Sequence, residues 1–275
     1  MPTYKGNKGN LLQHWVLCEL VSAAREHVSR LQFIDAHAMA PMAEKEEPEC
    51  KDSVFESVRA HLPGQGSLYE KTWRSLEQGD ATYPNSANFV KKLWSGRVVA
   101  MLLCEKDERT VEDLGRWARA IPDVEIARGD WRCRFVDGLS MSESLRDLTF
   151  VSFDPYLISR HCSVNNPCKG NMYPEDLYLV AKAMKKIQTP VMIQLSTYTA
   201  NGNNSQPDVE QCIRDRLVDR DGGGIEQIAT VTAGGDMMSV VLARRVEWAG
   251  ELTSLNERFQ RWRKNITRLR STTSA

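Results

Sequence analysis

No run in this 275-residue chain approaches the roughly 18 consecutive apolar residues that a membrane-spanning helix needs, and no charged-then-apolar signal segment opens it. The expectation is therefore a chain without a membrane partner. Neither charge sign prevails: 36 Lys plus Arg balance 36 Asp plus Glu, which excludes a chain-wide electrostatic footprint for nucleic acid while leaving room for a local patch. The 7 cysteines share no repeated spacing. Cys162 and Cys168, the nearest pair, stand too far apart for a zinc half-site, so no metal is expected and a reducing cytoplasm suits the thiols best. Internal repeats and low-complexity tracts are missing too. With 41% hydrophobic residues the chain can bury a substantial core, and a single domain over 1–275 is expected.

Glycine is missing at the place where it would be most informative. The chain is organised around Leu31-Gln32-Phe33-Ile34-Asp35-Ala36-His37, an apolar run that ends in a carboxylate and breaks at once into small residues. This is how a buried strand delivers a polar group to the rim of a parallel sheet, where ligands sit, so Asp35 and His37 are expected to face a bound molecule. A ligand-cradling loop usually carries glycines just after such a strand; here Met39, Ala40 and Pro41 follow.

Along the chain, helical spacing from Leu11 to about Val28, with Asn10 as N-cap, puts His14 in the first turns of a helix. A polar segment over 42–82, with Pro48, Pro63 and short helices at about Ser53 to His61 and Leu68 to Gln78, reads as a small helical insertion capping the rim. Tyr83-Pro84-Asn85-Ser86 is a turn that opens a helix over Ala87 to Leu93. Val98 to Cys104 is a buried strand ending at Glu105, followed by a helix from Glu108 to Ala120. Val124 to Ala127 is a strand followed by Gly129-Asp130, and Thr149 to Phe153 a strand ending in Asp154-Pro155-Tyr156. A helix over Pro174 to Ile187, a strand over Val191 to Leu195 and a helix over Asp208 to Leu217 come next. Glu226 to Val231 and Met238 to Ala243 are joined too tightly for a crossover helix and are expected to be antiparallel, before a helix over Leu252 to Leu269. Acids recurring at strand ends, with helices between, predict an α/β fold: a doubly wound, mostly parallel sheet with an antiparallel C-terminal strand and a carboxylate-rich rim.

The chemistry open to that rim follows from its donors and acceptors. Glu105 can take both hydroxyls of a ribose and Asp130 the amine of an adenine edge, with Asp35 and His37 near the sugar or a polar tail; each acid taken singly is equally at home as a cap or turn former. Asp154 followed by Pro155 can aim its carboxylate at an amine, and Tyr156 can stack on a flat base, although the same tripeptide also serves as a plain strand-ending turn. His14 and His37 are open between ligand contacts and rim histidines satisfied by backbone. Arg258 to Arg270 is a basic stretch that reads either as a phosphate contact or as the solvated face of a last helix.

These motifs, in this order, resemble the class I S-adenosylmethionine-dependent methyltransferases, and among them the RlmJ family, which methylates the exocyclic amine of one adenine in large-subunit rRNA. The likeness runs from about Gly6 to Arg245. Gly6-Asn7-Lys8-Gly9-Asn10-Leu11-Leu12-Gln13-His14 is similar to the family's G-N-x-A-D-x-L-K-H, Phe33-Ile34-Asp35-Ala36-His37-Ala38 to its L-D-T-H-A-G-A-G, and Tyr83-Pro84-Asn85-Ser86-Ala87 to its Y-P-G-S-P. Glu105 resembles its T-E-L-H, Asp130 its A-D-G and Asp154-Pro155-Tyr156 its D-P-P-Y. The resemblance implies S-adenosyl-L-methionine as cofactor, contacted by His14, His37, Ser86, Glu105 and Asp130, and a catalytic role for Asp154 in orienting the target amine; from the residues themselves Asp35 and Trp131 are expected beside the same cofactor, and Tyr156 at the catalytic end beside the target base. Tyr4 and Asn7 fall on the substrate side. Met39 and Pro41 replace glycines of the first motif, Trp131 replaces a glycine beside the adenine site and either stacks on that ring or fills its place, and one proline is lost from the last motif. That shortened form also looks like the motif of the three-Cys-motif partner proteins. The leading expectation is a methyltransferase acting on a nucleobase amine of RNA or DNA; the alternatives are an inactive relative serving as a binding scaffold and a nucleic-acid-binding protein.

Overall fold

The computed structural model describes residues 3–4, 8–45, 66–76, 82–137, 146–155, 157–158, 171–198, 206–218, 224–234 and 237–273. The expected helix at Ser53 to His61 lies outside them. In chain order the elements are β1 (Thr3–Tyr4), α1 (Lys8–His27), β2 (Arg30–Asp35), β3 (Met42–Lys45), α2 (Leu68–Leu76), β4 (Thr82–Pro84), α3 (Ser86–Leu93), β5 (Val98–Glu105), α4 (Glu108–Ala118) and β6 (Val124–Arg128). They continue with α5 (Trp131–Asp137), β7 (Leu148–Phe153), β8 (Leu157–Ile158), β9 (Asn171–Met172), α6 (Pro174–Lys186), β10 (Val191–Tyr198), α7 (Gln206–Ile213) running into a π turn over Arg214–Val218, β11 (Glu226–Thr232), β12 (Met237–Arg244), a 3-10 turn over Glu247–Leu252 and α8 (Leu255–Thr273).

The main sheet runs in the order β11-β12-β10-β7-β2-β5-β6. From β10 to β6 every pairing is parallel, whereas β12 is antiparallel to both β10 and β11. The expected doubly wound sheet with an antiparallel C-terminal strand is therefore present, and that strand lies one place in from the edge. Helices cover both faces, which is why the central strands bury nearly every residue: all of β7 is buried, and in β2 only Arg30 is not. Successive residues go to opposite layers. Phe33, Met101 and Phe150 pack with α1, α2, α3 and α8, while Ile34, Leu102 and Val151 pack with α5, α6 and α7. Two polar side chains inside the sheet find defined partners: Gln194 donates to the carbonyl of Gln13 in α1 (2.7 Å), and Ser196 to Ser239 on the neighbouring strand (3.0 Å).

This winding creates the crevice. From β2 the chain crosses by α3 to β5 and by α4 to β6 on one side, then returns through α5 to β7 on the other side of β2. The carboxyl ends of β2 and β7 thus flank a topological switch point, where an open α/β sheet binds its ligands.

Two local expectations change. Asn10 does not cap α1, which already starts at Lys8. The insertion over 42–82 is mixed: β3 and β4 pair antiparallel and β1 joins β3 in parallel, forming a small second sheet around α2. At the start of α3 the turn chemistry works as expected, with Asn85 as N-cap accepting from the Asn88 N–H at 3.1 Å.

Candidate active site

Asp35 ends β2, but the chain does not leave the sheet there. The Ala36 N–H donates to Ser152 (3.0 Å) and the Ala38 N–H to Cys104 (3.0 Å), so the loop stays wedged between β7 and β5. Within this wedge the Asp35 carboxylate accepts from the His37 N–H at 3.1 Å and from the Ser86 hydroxyl. It is 2% exposed, and burial pushes its carboxyl up to about 7, with the two donors opposing and the nearby Glu105 charge adding. The expectation that Asp35 faces the ligand is thus corrected. It lines neither adjoining cavity and lies beneath them, because its bonds to the turn and to α3 draw it inward.

The larger cavity, of about 360 Å³, opens over the ends of β5, β6 and β7 and is lined by Ala36, His37, Met39, Cys104, Glu105, Lys106, Gly129, Asp130, Trp131, Arg132, Asp154 and Tyr173. Its size falls within the roughly 300–1,000 Å³ of small-molecule sites. One oxygen of Glu105 accepts the N–H groups of Lys106 (2.7 Å) and Asp107 (2.8 Å), which fixes the carboxylate at the cavity wall while burial raises its pKa. At the end of β6, Gly129 takes φ +109, a conformation that side-chain-bearing residues avoid, and its N–H donates to the Glu105 carbonyl (2.9 Å). That turn brings Asp130 onto the same wall.

Asp130 is already engaged. Its two oxygens accept from the Arg132 N–H (2.9 Å) and from Arg132 Nη1 (2.8 Å), while Nε and Nη2 of Arg132 fork onto the buried Asp176 at 2.6 Å each. The guanidinium lies over Trp131, 5.1 Å from its ring centroid, and 5.6 Å from that of Tyr173. Trp131 is 4% exposed and packs edge-on against Phe153 and Phe135. Trp131 lines the cavity, with Phe135, Phe153 and His37 edge-on against its ring and the Arg132 guanidinium over it.

Asp154 follows β7 and lines both cavities. Its N–H donates to His37 Nδ1 at 3.3 Å, so the proton of a neutral His37 sits on Nε2. Burial, reinforced by the charge of Arg132, lowers His37 to about 4; burial and the Asp35 charge raise Asp154 to about 7. A half-buried carboxylate that titrates near neutrality can hold an amine by its hydrogens.

The second cavity is a cleft of only about 10 Å³ between α1 and the start of α3, lined by Asn10, Gln13, His14, His37, Met39, Ala40, Tyr83, Pro84, Asn85, Ser86 and Asp154. His14 Nδ1 lies 2.7 Å from the Tyr83 hydroxyl and Nε2 3.1 Å from that of Ser86, and burial lowers it to about 3. Met39 stands between the two cavities. Its carbonyl accepts from Asn85 (2.9 Å) and that of Pro41 from Asn88 (2.6 Å), so the loop lacking glycine is tied to α3.

His14, His37, Ser86, Glu105, Asp130, Trp131 and Asp154 therefore converge on one rim, with Asp35 under it. Tyr4 is placed only by its backbone, in β1 beside Lys45; Asn7 and Tyr156 lie outside the described residues. Sequence reading passed over Arg132, Tyr173 and Asp176. The only signal near them is the turn opening α6, where Asp176 accepts from the Tyr173 N–H (2.8 Å), and nothing in it points to Arg132.

No protein-family model matches the chain, and no curated protein is detectably similar in sequence. Among solved structures, a Legionella pneumophila protein described under the family model DUF519 superposes with a TM-score of 0.62 at 16% identity, over 94% of this chain and 94% of that one. A provisionally named methylase from Haemophilus influenzae gives 0.44 at 8% identity, over 83% and 88%. A SAM-dependent methyltransferase from Aquifex aeolicus gives 0.39 at 8% identity, over 80% and 87%. The likeness to the Legionella protein is one of fold, end to end.

Proposed function

We propose that this chain is an S-adenosyl-L-methionine-dependent methyltransferase that modifies the exocyclic amine of a nucleobase in RNA, with an adenine as in the RlmJ family the leading substrate. The observation that carries the reading is the position of Asp154, at the junction of two adjoining cavities on the rim, with Glu105 fixed on the wall of the larger one. The larger cavity fits an adenosine group. Glu105 offers its other oxygen to a ribose diol, and Asp130, though bound to Arg132, keeps lone pairs for an adenine amine.

The cofactor supplies an electrophilic methyl on a sulfonium, and transfer from it needs little acid or base help. What the protein contributes is alignment. Asp154 accepts the hydrogens of the target amine and turns its lone pair inward, while His37 Nδ1 holds the Asp154 backbone and so fixes where that carboxylate points. The reading places the chain in the cytoplasm with RNA as its macromolecular partner.

A second reading has a specific observation in its favour. The cleft beside His14 holds little more than a water, and Met39 stands where a glycine would leave room for the methionine tail. On that reading the fold is a binding scaffold without catalysis. Calorimetry with S-adenosylhomocysteine separates the two: saturable heat with an upward shift in melting temperature supports the enzyme, and neither effect leaves the scaffold. Binding of RNA measured from low to high salt tests whether the basic face of α8 meets phosphates, for which a flat response counts against.

A further inference from the structure

A line of buried polar side chains runs from the inserted segment to the floor of the site. The Tyr69 and Tyr83 hydroxyls are 2.7 Å apart, the Tyr83 hydroxyl lies 2.7 Å from His14 Nδ1, His14 Nε2 lies 3.1 Å from Ser86 Oγ, and the Ser86 hydroxyl bonds the Asp35 carboxyl. The imidazole cannot turn freely, because it stacks on Phe89 at 4.9 Å between centroids. Tyr69 is fixed in turn by Phe89 and by the edge of Trp262 in α8.

Donor and acceptor counting gives this line a direction. An ionised carboxylate only accepts, so Ser86 spends its single proton on Asp35 and its oxygen takes a proton from His14 Nε2. Burial keeps His14 neutral, so Nδ1 then carries a lone pair, which receives the Tyr83 hydroxyl proton; the Tyr83 oxygen accepts from Tyr69.

We propose that Tyr83 is a positioning residue of this site: by donating to Nδ1 it works together with the ionised Asp35 to hold His14 as the Nε2–H tautomer, and so keeps Ser86 facing the cleft as an acceptor for a ligand's amine. This rests on the methyltransferase reading for the ligand, whose amino-acid tail carries such an amine, but not for the tautomer. Tyr69 supports the arrangement from one step further back. The inserted segment is thereby part of the site's machinery.

The tautomer is read first, by nitrogen-15 NMR of His14 in the ligand-free protein at pH 8, where Asp35 is mostly ionised. Protonated Nε2 with bare Nδ1 is expected, and the reverse tautomer overturns the proposal. Calorimetry then compares S-adenosylhomocysteine with its analogue lacking the amino group, in wild type, Tyr83→Phe and Tyr69→Phe. Wild type is expected to favour the amine-bearing ligand by about tenfold, the worth of one hydrogen bond to a charged donor. Tyr83→Phe, in which Asp35 alone still biases Ser86 and His14, is expected to show the Nδ1–H tautomer as a detectable minor form and to weaken that preference by about threefold, with Tyr69→Phe intermediate. An unchanged preference in a folded Tyr83→Phe overturns the proposal, and should that variant not fold, an unchanged tautomer and preference in Tyr69→Phe does so. If wild type binds neither ligand, the methyltransferase reading fails while the tautomer measurement still decides the positioning role.

Discussion

Replacing Asp35 with Asn should make the protein progressively more stable than wild type as the pH rises. In an unfolded chain this carboxyl titrates at its ordinary 3.8, whereas in the fold burial holds it up to about 7. Between those values the folded state keeps a proton that the unfolded state releases, so unfolding becomes easier with increasing pH, at about 1.4 kcal/mol per pH unit. Over the whole window this amounts to about 4 kcal/mol, lost progressively from pH 4 to 7 and level above 8. Wild type alone would hide much of it. His14 and His37 are lowered to about 3 and about 4, so between those values and 6.5 the unfolded state binds the extra protons and stability rises with pH, opposing the slope from Asp35 and Asp154.

The Asp35→Asn comparison isolates the carboxyl, because the Asn oxygen can still accept from the His37 N–H and the histidines remain in place. Urea unfolding of both proteins at a series of pH values from 4.5 to 8.5 gives the difference directly. It should widen by roughly 3–4 kcal/mol toward alkaline pH, part of it from Asp154 titrating lower once the charge of Asp35 is gone. Parallel curves, differing by less than about 1 kcal/mol throughout, would mean that Asp35 is solvated and ionised in the fold, and the geometry beneath the rim would be wrong.

Arg132→Ala should destabilise by about 3–5 kcal/mol in urea unfolding, because it strands the buried carboxylate of Asp176, and a loss under 1 kcal/mol would show that the fork onto Asp176 does not form in solution. Met39→Ala should tighten S-adenosylhomocysteine binding about tenfold by relieving overpacking between the two cavities; weaker binding in calorimetry would make Met39 a contact and not an obstruction. On the proposed methyltransferase reading, Asp154→Asn should lower methyl transfer to an RNA acceptor by about 100-fold through misplacement of the amine while cofactor affinity changes little, and a parallel loss of both would move Asp154 from the target amine to the cofactor.

The sequence by itself determined the sheet and its rim. Apolar runs ending in Asp35, Glu105 and Asp154 are legible because a strand covered on both faces must be apolar almost throughout, so a carboxylate can stand only where the strand leaves the core. The short connection between β11 and β12 was equally legible, since it is too short for any but an antiparallel return. What only the tertiary structure decided is which polar group each of these residues meets. Arg132 finds Asp176 from 44 residues away and His14 finds Tyr83 and Ser86 from 69 and 72, and no local periodicity encodes partners at such separations. Asp35 shows the limit most clearly. Its place at a strand end could be read from its neighbours, but whether its carboxylate turned to the ligand or to the floor depended on Ser86, delivered by a helix that follows an insertion. Sequence patterns record burial, which acts on each residue singly, whereas hydrogen-bond partners are fixed only when distant segments pack together.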